Sequence, residues 1–267
     1  MLRLKNPLAY PGGNSGFNSA HPAAYRCRVA AIASSSGFMS SLFGATPTYI
    51  GTISETINSF GPATNLITGA RITYPIVSES VATSGVTFSA ILTPITVSTA
   101  ATIICCGNDG TSNQSVQFNM NSGLLRIYDG NATIASTITL VAGNTYFVAA
   151  SYNGVAANFI ALNLATGQLY TSVVSTAGTL GSTTGDPFAI GNRNTVLTSP
   201  INSWLSAVSY TARALPLRQL LQWAQAPWDF WYPRTFDGIF LSGLKSAAVA
   251  APTHFSRGFP DGGVQVT

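Results

Sequence analysis

The strongest constraint on the fold is an alternation of apolar and polar residues between about Thr48 and Tyr210. A period of two residues is typical of a strand with one buried face, whereas a helical face repeats every 3.6 residues. The sequence therefore predicts a series of half-buried strands. The residues expected to face the core are Val86, Phe88, Ala90, Leu92, Val116, Phe118, Met120, Ile134, Ile138, Leu140, Tyr146, Val148, Ala150 and Tyr152.

The segments between these strands are short and rich in Gly, Asn and Asp. Such residues adopt positive φ angles at low cost and favour tight turns. Connections this short cannot hold a crossover helix, so neighbouring strands are expected to pair antiparallel. The spacing of turns every ~8–12 residues is typical of an all-β sandwich or barrel. The turn segments are GNDGTSN, MNSG, DGN, VAGN and YNGVAAN.

One short helix is predicted after the last strand. The apolar residues Leu205, Val208 and Tyr210 are spaced by three and then two positions, which predicts a β-bulge. Pro216 suits the first turn of a helix, where its missing N–H is not needed, and Pro227 ends the pattern. We expect the helix to cover part of a sheet face or edge. Its apolar stripe consists of Leu217, Leu220, Leu221 and Ala224.

The composition restricts the classes of function. Charged residues make up only 7% and hydrophobic residues 46%, whereas an ordinary soluble domain is ~25% charged. The surface must be covered by Ser, Thr, Asn and Gly, which suits a subunit of an assembly. The net charge of +4 comes from scattered residues. Nucleic-acid binding would require a basic stripe with interleaved aromatic residues, and the sequence contains none. The one modest basic cluster is Arg3, Lys5, Arg26 and Arg28.

The three cysteines have no metal-ligand spacing. Cys27 is isolated, and Cys105 and Cys106 are neighbours that would point to opposite faces of a strand. They are expected to be reduced, mostly buried thiols. The residues after Met1 do not form an apolar secretory segment, and no run of ~18 apolar residues predicts a membrane span.

The chain is expected to have three parts. Residues 1–48 are rich in turn formers and predict an N-terminal arm or irregular segment. Residues 49–236 contain the strands and the helix. Residues 237–267, with Gly and Pro throughout, predict an extended C-terminal tail.

Several segments resemble a known family. VTFSAILTPITVSTAATIICCGNDG (86–110), TYFVAASYNG (145–154), FAIGN (188–192), INSWLSAVSYTARAL (201–215) and LLQWAQAPW (220–228) are similar, in this order, to segments of the laminin-G-like branch of the concanavalin A-like superfamily of lectins and glucanases. The similarity extends from Gly85 to Trp228. It implies a two-sheet antiparallel jelly-roll sandwich with the short helix after the last core strand.

The chain departs from the family pattern at two places. Pro216 to Gln219 replace the Ser-x-x-Glu capping box before the helix, and Ser206 and Ala207 replace an acidic pair in the last strand. The flanking arms and the terminal Pro-Trp element also resemble structural proteins of tailed phages.

Glycoside hydrolysis is the enzymatic activity that the resemblance suggests, and it requires two carboxylates beside the scissile bond. The glucanase branch places its acids on one strand. Glu55 and Glu79 have no such partner, and the aspartates are isolated in sequence. We therefore expect no enzymatic activity and assign no catalytic residues. The aspartates are Asp109, Asp129, Asp186, Asp229, Asp237 and Asp261.

A calcium site is the second chemistry that the resemblance suggests. Asp109 in NDG and Asp129 in DGN are the candidate ligands. Calcium takes six to eight oxygens, whereas NDG and DGN are also strong turn sequences. The turn interpretation is favoured, and no metal or other cofactor is expected.

Nucleophilic catalysis and zinc binding lack the required residues. His21 and His254 lie in the terminal regions, which we expect to be flexible, and there is no G-x-S-x-G motif. A cluster of aromatic residues near the C-terminus could be a sugar platform, but packing onto the sheet is favoured. The cluster consists of Trp223, Trp228, Phe230, Trp231, Tyr232, Phe236 and Phe240.

The sequence-based hypothesis is a non-enzymatic virion structural protein, either a capsid decoration or a fibre-type subunit attached through its arms. Its partners would be other virion proteins, such as the major capsid protein or neighbouring copies in a homo-oligomer, with no nucleic acid and no membrane. The alternative is a lectin-like module that binds glycans of a host surface or matrix. A hydrolase is the third hypothesis.

Overall fold

A computed structural model describes residues 18–34, 37–41, 46–66, 69–75, 85–97, 100–107, 115–176, 180, 188–193 and 199–231. The chain forms two units, Met1–Pro233 and Arg234–Thr267. All described residues belong to the first unit. The predicted C-terminal tail, residues 237–267, lies outside them.

The described residues form strands and one short α-helix. The strands are β1 (Cys27–Ser34), β2 (Gly37–Ser41), β3 (Thr48–Ile50), β4 (Ile53–Asn58), β5 (Gly61–Leu66), β6 (Arg71–Tyr74), β7 (Val86–Pro94), β8 (Ala101–Gly107), β9 (Ser115–Asn121), β10 (Leu124–Tyr128), β11 (Thr133–Thr139), β12 (Tyr146–Tyr152), β13 (Ala156–Asn163), β14 (Leu169–Ser175), β15 (Phe188–Ile190) and β16 (Ser203–Thr211). The helices are a 3-10 turn at Pro22–Ala24 and α1 (Leu217–Gln225).

The strands form two antiparallel sheets. The first has nine strands in the order β14-β13-β12-β7-β16-β1-β2, with β5 also paired to β16 and β4 paired to β5. The second has seven strands in the order β11-β10-β9-β8-β15-β6-β3. The predicted fold class is confirmed: the protein is an all-β, two-sheet antiparallel sandwich of jelly-roll type with one short helix after the last strand.

The predicted core faces are also confirmed. Every residue that the alternation assigned to the core belongs to one buried cluster between the two sheets. Within it the rings of Phe88 and Phe118, from opposite sheets, lie 6.1 Å apart, and the rings of Phe88 and Tyr210 lie 5.4 Å apart. Each fully buried side chain of this kind contributes about 1.5–3 kcal/mol.

A second buried cluster covers the outer face of the nine-stranded sheet. Helix α1 and residues 226–231 are together called the cap. In this cluster the cap packs on outward side chains of the sheet such as Phe147 and Ile160. The ring of Trp223 lies 5.4 Å from that of Phe147 and 5.8 Å from that of Trp231. The part of the nine-stranded sheet under the cap is therefore buried on both faces, and the helix covers part of a sheet face as expected.

The predicted bulge and helix boundaries hold with small differences. The register of β16 against β7 shifts between Leu205 and Ala207, where the bulge was expected. Pro216 is the N-cap of α1 rather than a residue of its first turn, and the helix begins at Leu217. Trp223 joins the buried stripe. The helix has nine residues, and no helix in the described part of the chain has the length and apolar character that a membrane crossing requires.

The N-terminal arm is shorter than predicted. Residues 27–34 form β1, which lies between β16 and β2 inside the nine-stranded sheet. Val29 packs into the core between the sheets, while Ile32 packs under the cap. Both faces of β1 are buried, so its sequence shows a continuous apolar run instead of an alternation. The boundary at residue 48 is therefore wrong for these residues.

His21 is also better ordered than predicted. Its Nδ1 accepts a hydrogen bond from the Ala23 N–H at 3.1 Å, and its ring lies 4.7 Å from Trp223 and 5.2 Å from Phe230. Burial lowers the pKa of His21 to about 4. The imidazole is neutral at neutral pH and ties the start of the described chain to the cap.

Deletion of residues 1–48 should prevent stable folding, because it removes β1 and β2 and leaves β16 without its partner on one side. The loss of two buried β-branched side chains and two strand ladders is comparable with the ~5–15 kcal/mol that stabilises a whole domain. Circular dichroism during thermal unfolding measures the effect. Deletion of residues 1–17 is the control, since it leaves β1, β2 and the His21 contacts in place. Cooperative unfolding of the 1–48 deletion at the wild-type temperature would contradict the assignment of β1.

The stability of the protein should fall between pH 6.5 and about pH 4 partly because of His21. In that range the unfolded chain binds a proton that the folded imidazole does not, so the free energy of unfolding decreases as the pH falls. The contribution is at most about 3 kcal/mol. Urea unfolding of wild type and His21→Asn at several pH values measures it. Asn keeps an N-cap acceptor without titrating, so equal pH dependence of the two proteins would refute the prediction.

Candidate functional site

The outer face of the nine-stranded sheet has three zones along its central strands. The first zone is a set of hydroxyls that bond to the backbone of the segments just before β1 and just after β16. Thr87 accepts a hydrogen bond from the Leu215 N–H at 2.9 Å and donates one to the Arg213 carbonyl at 2.7 Å. Ser151 donates to the Leu215 carbonyl, and Thr211 donates to the Ala23 carbonyl, each at 2.7 Å. The second zone is the apolar surface under the cap.

The third zone is a row of side chains beyond the cap. Trp204 on β16 lies directly opposite Asn65 on β5 and opposite Thr93 on β7. Ser54 on β4 lies opposite Asn65, and the hydroxyls of Thr93 and Thr145 are 2.7 Å apart. Directly paired side chains are neighbours at ~4.5–5.5 Å between Cβ atoms. These five residues are called the Trp204 row.

Trp204 differs from the other tryptophans of the chain. Trp223, Trp228 and Trp231 are buried in the cap, at most 3% exposed. Trp204 is half-buried and belongs to neither of the two core clusters of described residues. A large ring of this kind is held by its strand while part of its surface stays accessible.

Asn65 supplies a polar group with unused capacity beside this ring. The residue is 6% exposed, and its Oδ1 has no hydrogen-bond partner among the described residues. A buried amide oxygen without a partner is unfavourable by about 1–3 kcal/mol. Because this oxygen has almost no exposed surface, a ligand hydroxyl reaches it only after the Asn65 side chain turns outward.

The Trp204 row contains no charged residue. It offers an aromatic ring, an amide and three hydroxyls, which recognise a molecule with apolar C–H surfaces and many hydroxyl groups. Binding here would depend on ring contact and neutral hydrogen bonds rather than on ion pairs.

The outer face of the seven-stranded sheet is polar, and on β9 its side chains are buried. Gln117 and Asn119 point outward from β9 and are 1% and 8% exposed. The Nε of Arg126 donates to Asn119 Oδ1 at 3.2 Å, and the Tyr128 hydroxyl donates to the Gly130 carbonyl at 2.8 Å. Desolvation lowers the pKa of Arg126. These groups bond mainly to one another, although Gln117 Oε1 has no described partner.

Asp129 has the structural role that the turn interpretation predicted. Its Oδ1 accepts hydrogen bonds from the N–H groups of Asn131 at 2.9 Å and Ala132 at 2.7 Å, and its Oδ2 accepts one from the Tyr152 hydroxyl at 3.3 Å. The carboxylate closes the turn between β10 and β11. Asp109, the other calcium candidate, lies outside the described residues.

The remaining predicted acids are dispersed or undescribed. Glu55 is exposed on β4, and Asp229 lies in the turns after α1. Across the described ranges, no three side chains of the His, Cys, Asp and Glu types gather into a group that could hold a metal ion. The acids that lie outside the described residues are Glu79, Asp186, Asp237 and Asp261, and His254 lies outside them as well.

The cysteines are free, buried thiols, as predicted. Burial raises the pKa of Cys27 to about 12 and raises the pKa of Cys106 well above its usual value. Both thiols are protonated at neutral pH and unsuited to act as nucleophiles.

The predicted aromatic cluster packs onto the sheet. Trp223, Trp228, Phe230 and Trp231 are buried in the cap, while Tyr232, Phe236 and Phe240 lie outside the described residues. Sequence reasoning missed Trp204. Its position between the inward residues Ser203 and Leu205 was the available signal, since alternation places it on the outer face.

No protein-family model matches the chain, and no curated protein matches it. Solved structures do match. The binding domain of botulinum neurotoxin serotype C1 is 13% identical, with a TM-score of 0.50, over 74% of this chain and 51% of that chain. The protein thus spans about half the length of the toxin binding domain.

Two further structures have the same level of similarity. Domain 4 of AbnA, a GH43 extracellular arabinanase from Geobacillus stearothermophilus in complex with arabinotriose, is 15% identical over 74% of this chain and 98% of that chain, with a TM-score of 0.50. The enzymatically active domain of bacteriophage CBA120 tailspike protein 2 is 16% identical over 68% of this chain and 30% of that chain, with a TM-score of 0.50. At these identities the similarity shows that the fold is shared.

Proposed function

We propose that the protein is a carbohydrate-binding module and that the Trp204 row holds a neutral oligosaccharide. The observation that carries the proposal is the pairing of a half-buried tryptophan with a buried amide oxygen that has no partner among the described residues. The ring can pack on the C–H face of a sugar, while the Asn65 side chain turns outward so that its Oδ1 accepts a hydrogen bond from a sugar hydroxyl. Thr93, Thr145 and Ser54 provide further hydroxyls along the same row.

The ligand class follows from the charge of the row. Acidic sugars are normally bound by Arg or Lys, and the row contains neither. A neutral saccharide needs no charge partner and matches the amide and hydroxyl groups. The shared fold supports this assignment, because the similar domain 4 of AbnA was crystallised with arabinotriose.

The finer family assignment to the laminin-G-like branch stays a prediction. It is supported by the positions of the motifs: TYFVAASYNG forms β12 and the turn after it, and FAIGN forms β15 and the bend after it. The absence of enzymatic activity also stays a prediction. It is supported by the positions of Glu55, Asp129 and Asp229, which lie on separate elements.

The virion role predicted from the sequence is the second candidate. It is supported by the 7% charged residues of the chain and by the shared fold of a phage tailspike domain. Attachment to the major capsid protein or location in a virion are parts of this second candidate only. A carbohydrate-binding module on a particle surface would combine both.

Trp204→Ala should weaken binding of a neutral oligosaccharide about tenfold or more, because aromatic anchors contribute ~2 kcal/mol or more in binding sites. Isothermal titration with neutral oligosaccharides that a glycan array identifies, and with arabinotriose, measures the dissociation constant. Binding should change little with salt, since no ion pair is involved. Tyr25→Ala is the control, because Tyr25 is 67% exposed and lies outside the row. An array without any bound glycan, or equal affinity of wild type and Trp204→Ala, would overturn the proposal.

Asn65→Ala should weaken the same binding without lowering the stability of the fold. Because Oδ1 makes no described hydrogen bond, its removal should leave the free energy of unfolding unchanged within about 0.5 kcal/mol or raise it. Asn163→Ala is the matched control. Asn163 is 5% exposed, and its Oδ1 accepts hydrogen bonds from the N–H groups of Ala165 and Thr166.

Asn163→Ala should therefore cost about 1 kcal/mol or more. Urea unfolding of both variants provides the comparison. If Asn65→Ala destabilises the protein as much as Asn163→Ala does, the Asn65 amide serves the fold and is not reserved for a ligand.

A further inference from the structure

At the β14 edge of the nine-stranded sheet, some backbone hydrogen-bonding groups have no partner among the described residues. β14 is the last strand of this sheet in the described residues. Asn163 N–H donates to the Gln168 carbonyl at 2.9 Å, and Thr176 N–H donates to the Val155 carbonyl at 2.8 Å. In an antiparallel ladder, hydrogen-bonded pairs alternate with non-hydrogen-bonded pairs. The residues of β14 whose N–H and C=O groups point away from β13 are therefore Leu169, Thr171, Val173 and Ser175.

The side chains of these four residues also face outward from the sheet, and all four are exposed. Leu169 is 42% exposed and Val173 is 57% exposed. The inner face of β14 is occupied, since Ser172 Oγ accepts a hydrogen bond from the Thr137 N–H of β11 at 3.1 Å. The edge and the outer face of β14 are therefore the parts that a further strand could use.

Strand β14 itself carries none of the residues or bulges that usually discourage pairing. Natural edge strands carry Lys, Pro or bulges that prevent association. β14 has the sequence LYTSVVS, with high strand propensity and without Gly or Pro. No Asp, Glu, Lys, Arg or His occurs between Asp129 and Asp186. Two copies of this edge bring no like charges together.

The edge is complementary to itself. A two-fold axis through Ser172 and perpendicular to the sheet sets Leu169 opposite the partner's Ser175 and Thr171 opposite the partner's Val173. All four residues with free backbone groups then form hydrogen-bonded pairs with the partner copy. On the inner face Tyr170 lies beside the partner's Val174, an aromatic and β-branched pair of the kind that stabilises sheets.

We propose that the protein forms a two-fold homodimer through antiparallel pairing of β14 with β14 of a second copy. The two nine-stranded sheets become one continuous sheet, and the exposed Leu169 and Val173 side chains pack between the two caps. Because the axis is perpendicular to the sheet, both outer faces point the same way. The two Trp204 rows then lie on one side of the dimer, which suits simultaneous binding to a polymeric or surface-bound glycan.

The oligomeric state of the full chain tests this proposal. Sedimentation velocity and light scattering over a wide concentration range should show a dimer for the wild type. Val173→Lys should raise the dimer dissociation constant about tenfold or more, because two ammonium groups would be placed beside the axis in an apolar contact. Val141→Lys is the matched control, since Val141 is 56% exposed and Val173 57% exposed, but Val141 lies in the turn before β12.

Thr171→Pro tests the backbone pairing itself. The Thr171 N–H points away from β13, so proline removes a bond to the partner and none within the sheet. This variant should be monomeric and folded by circular dichroism. A monomeric wild type, a dimeric Val173→Lys variant, or a monomeric Val141→Lys variant would each overturn the assignment to β14. The result does not depend on glycan binding, which a monovalent sugar measures separately in the monomeric variants.

Discussion

The structure depends on the burial of both faces in the centre of the nine-stranded sheet, and β16 is one of the strands whose two faces are both buried. Leu205, Val208 and Tyr210 point into the core, while Ala207 points under the cap. Shifting a strand by one residue exchanges its two faces, so a register error here would expose the core side chains. The bulge between Leu205 and Ala207 fixes this register. Trp204 precedes the bulge, and its side chain lies on the outer face of the sheet, as that of Ala207 does.

The low charge of the chain is explained by how the outer face satisfies its polar groups. In a sheet that is buried on both faces, an ionised side chain is unfavourable in free energy, because a buried charge needs a partner and further hydrogen bonds. Hydroxyls serve instead: Ser89 and Ser209 bond to each other at 2.7 Å across neighbouring strands, and Thr87 and Ser151 bond to the backbone of the segment before α1. Asn65 Oδ1 is one of several buried polar atoms without a described partner, and it marks the proposed site because it lies beside the half-buried Trp204.

The sequence predicted the elements that have one period and one buried face. The strands that form the core, the helix with its stripe and the bulge all follow from local spacing. β1 was missed because Val29 and Ile32 are buried on opposite faces, which erases the alternation and leaves an apolar run next to a turn-rich segment. The site was missed for another reason. Asn65, Thr93 and Trp204 come from three strands far apart in sequence, and only the strand order of the sheet makes them neighbours.

The pairing of β1 with β16 has a consequence for how the chain acquires its structure. Cys27 and Thr211 are paired although they lie near opposite ends of the sequence of this unit. Strand β7 also has a complete set of neighbours only when β16 is present. Bringing such distant segments together costs loop-closure entropy before their contacts contribute any stabilisation, and this slows folding. On the ribosome, the middle of the nine-stranded sheet stays incomplete until nearly all of this unit has emerged. During that interval the apolar strands already synthesised are exposed to aggregation, so a nascent chain of this design benefits from chaperone protection until its final strand arrives.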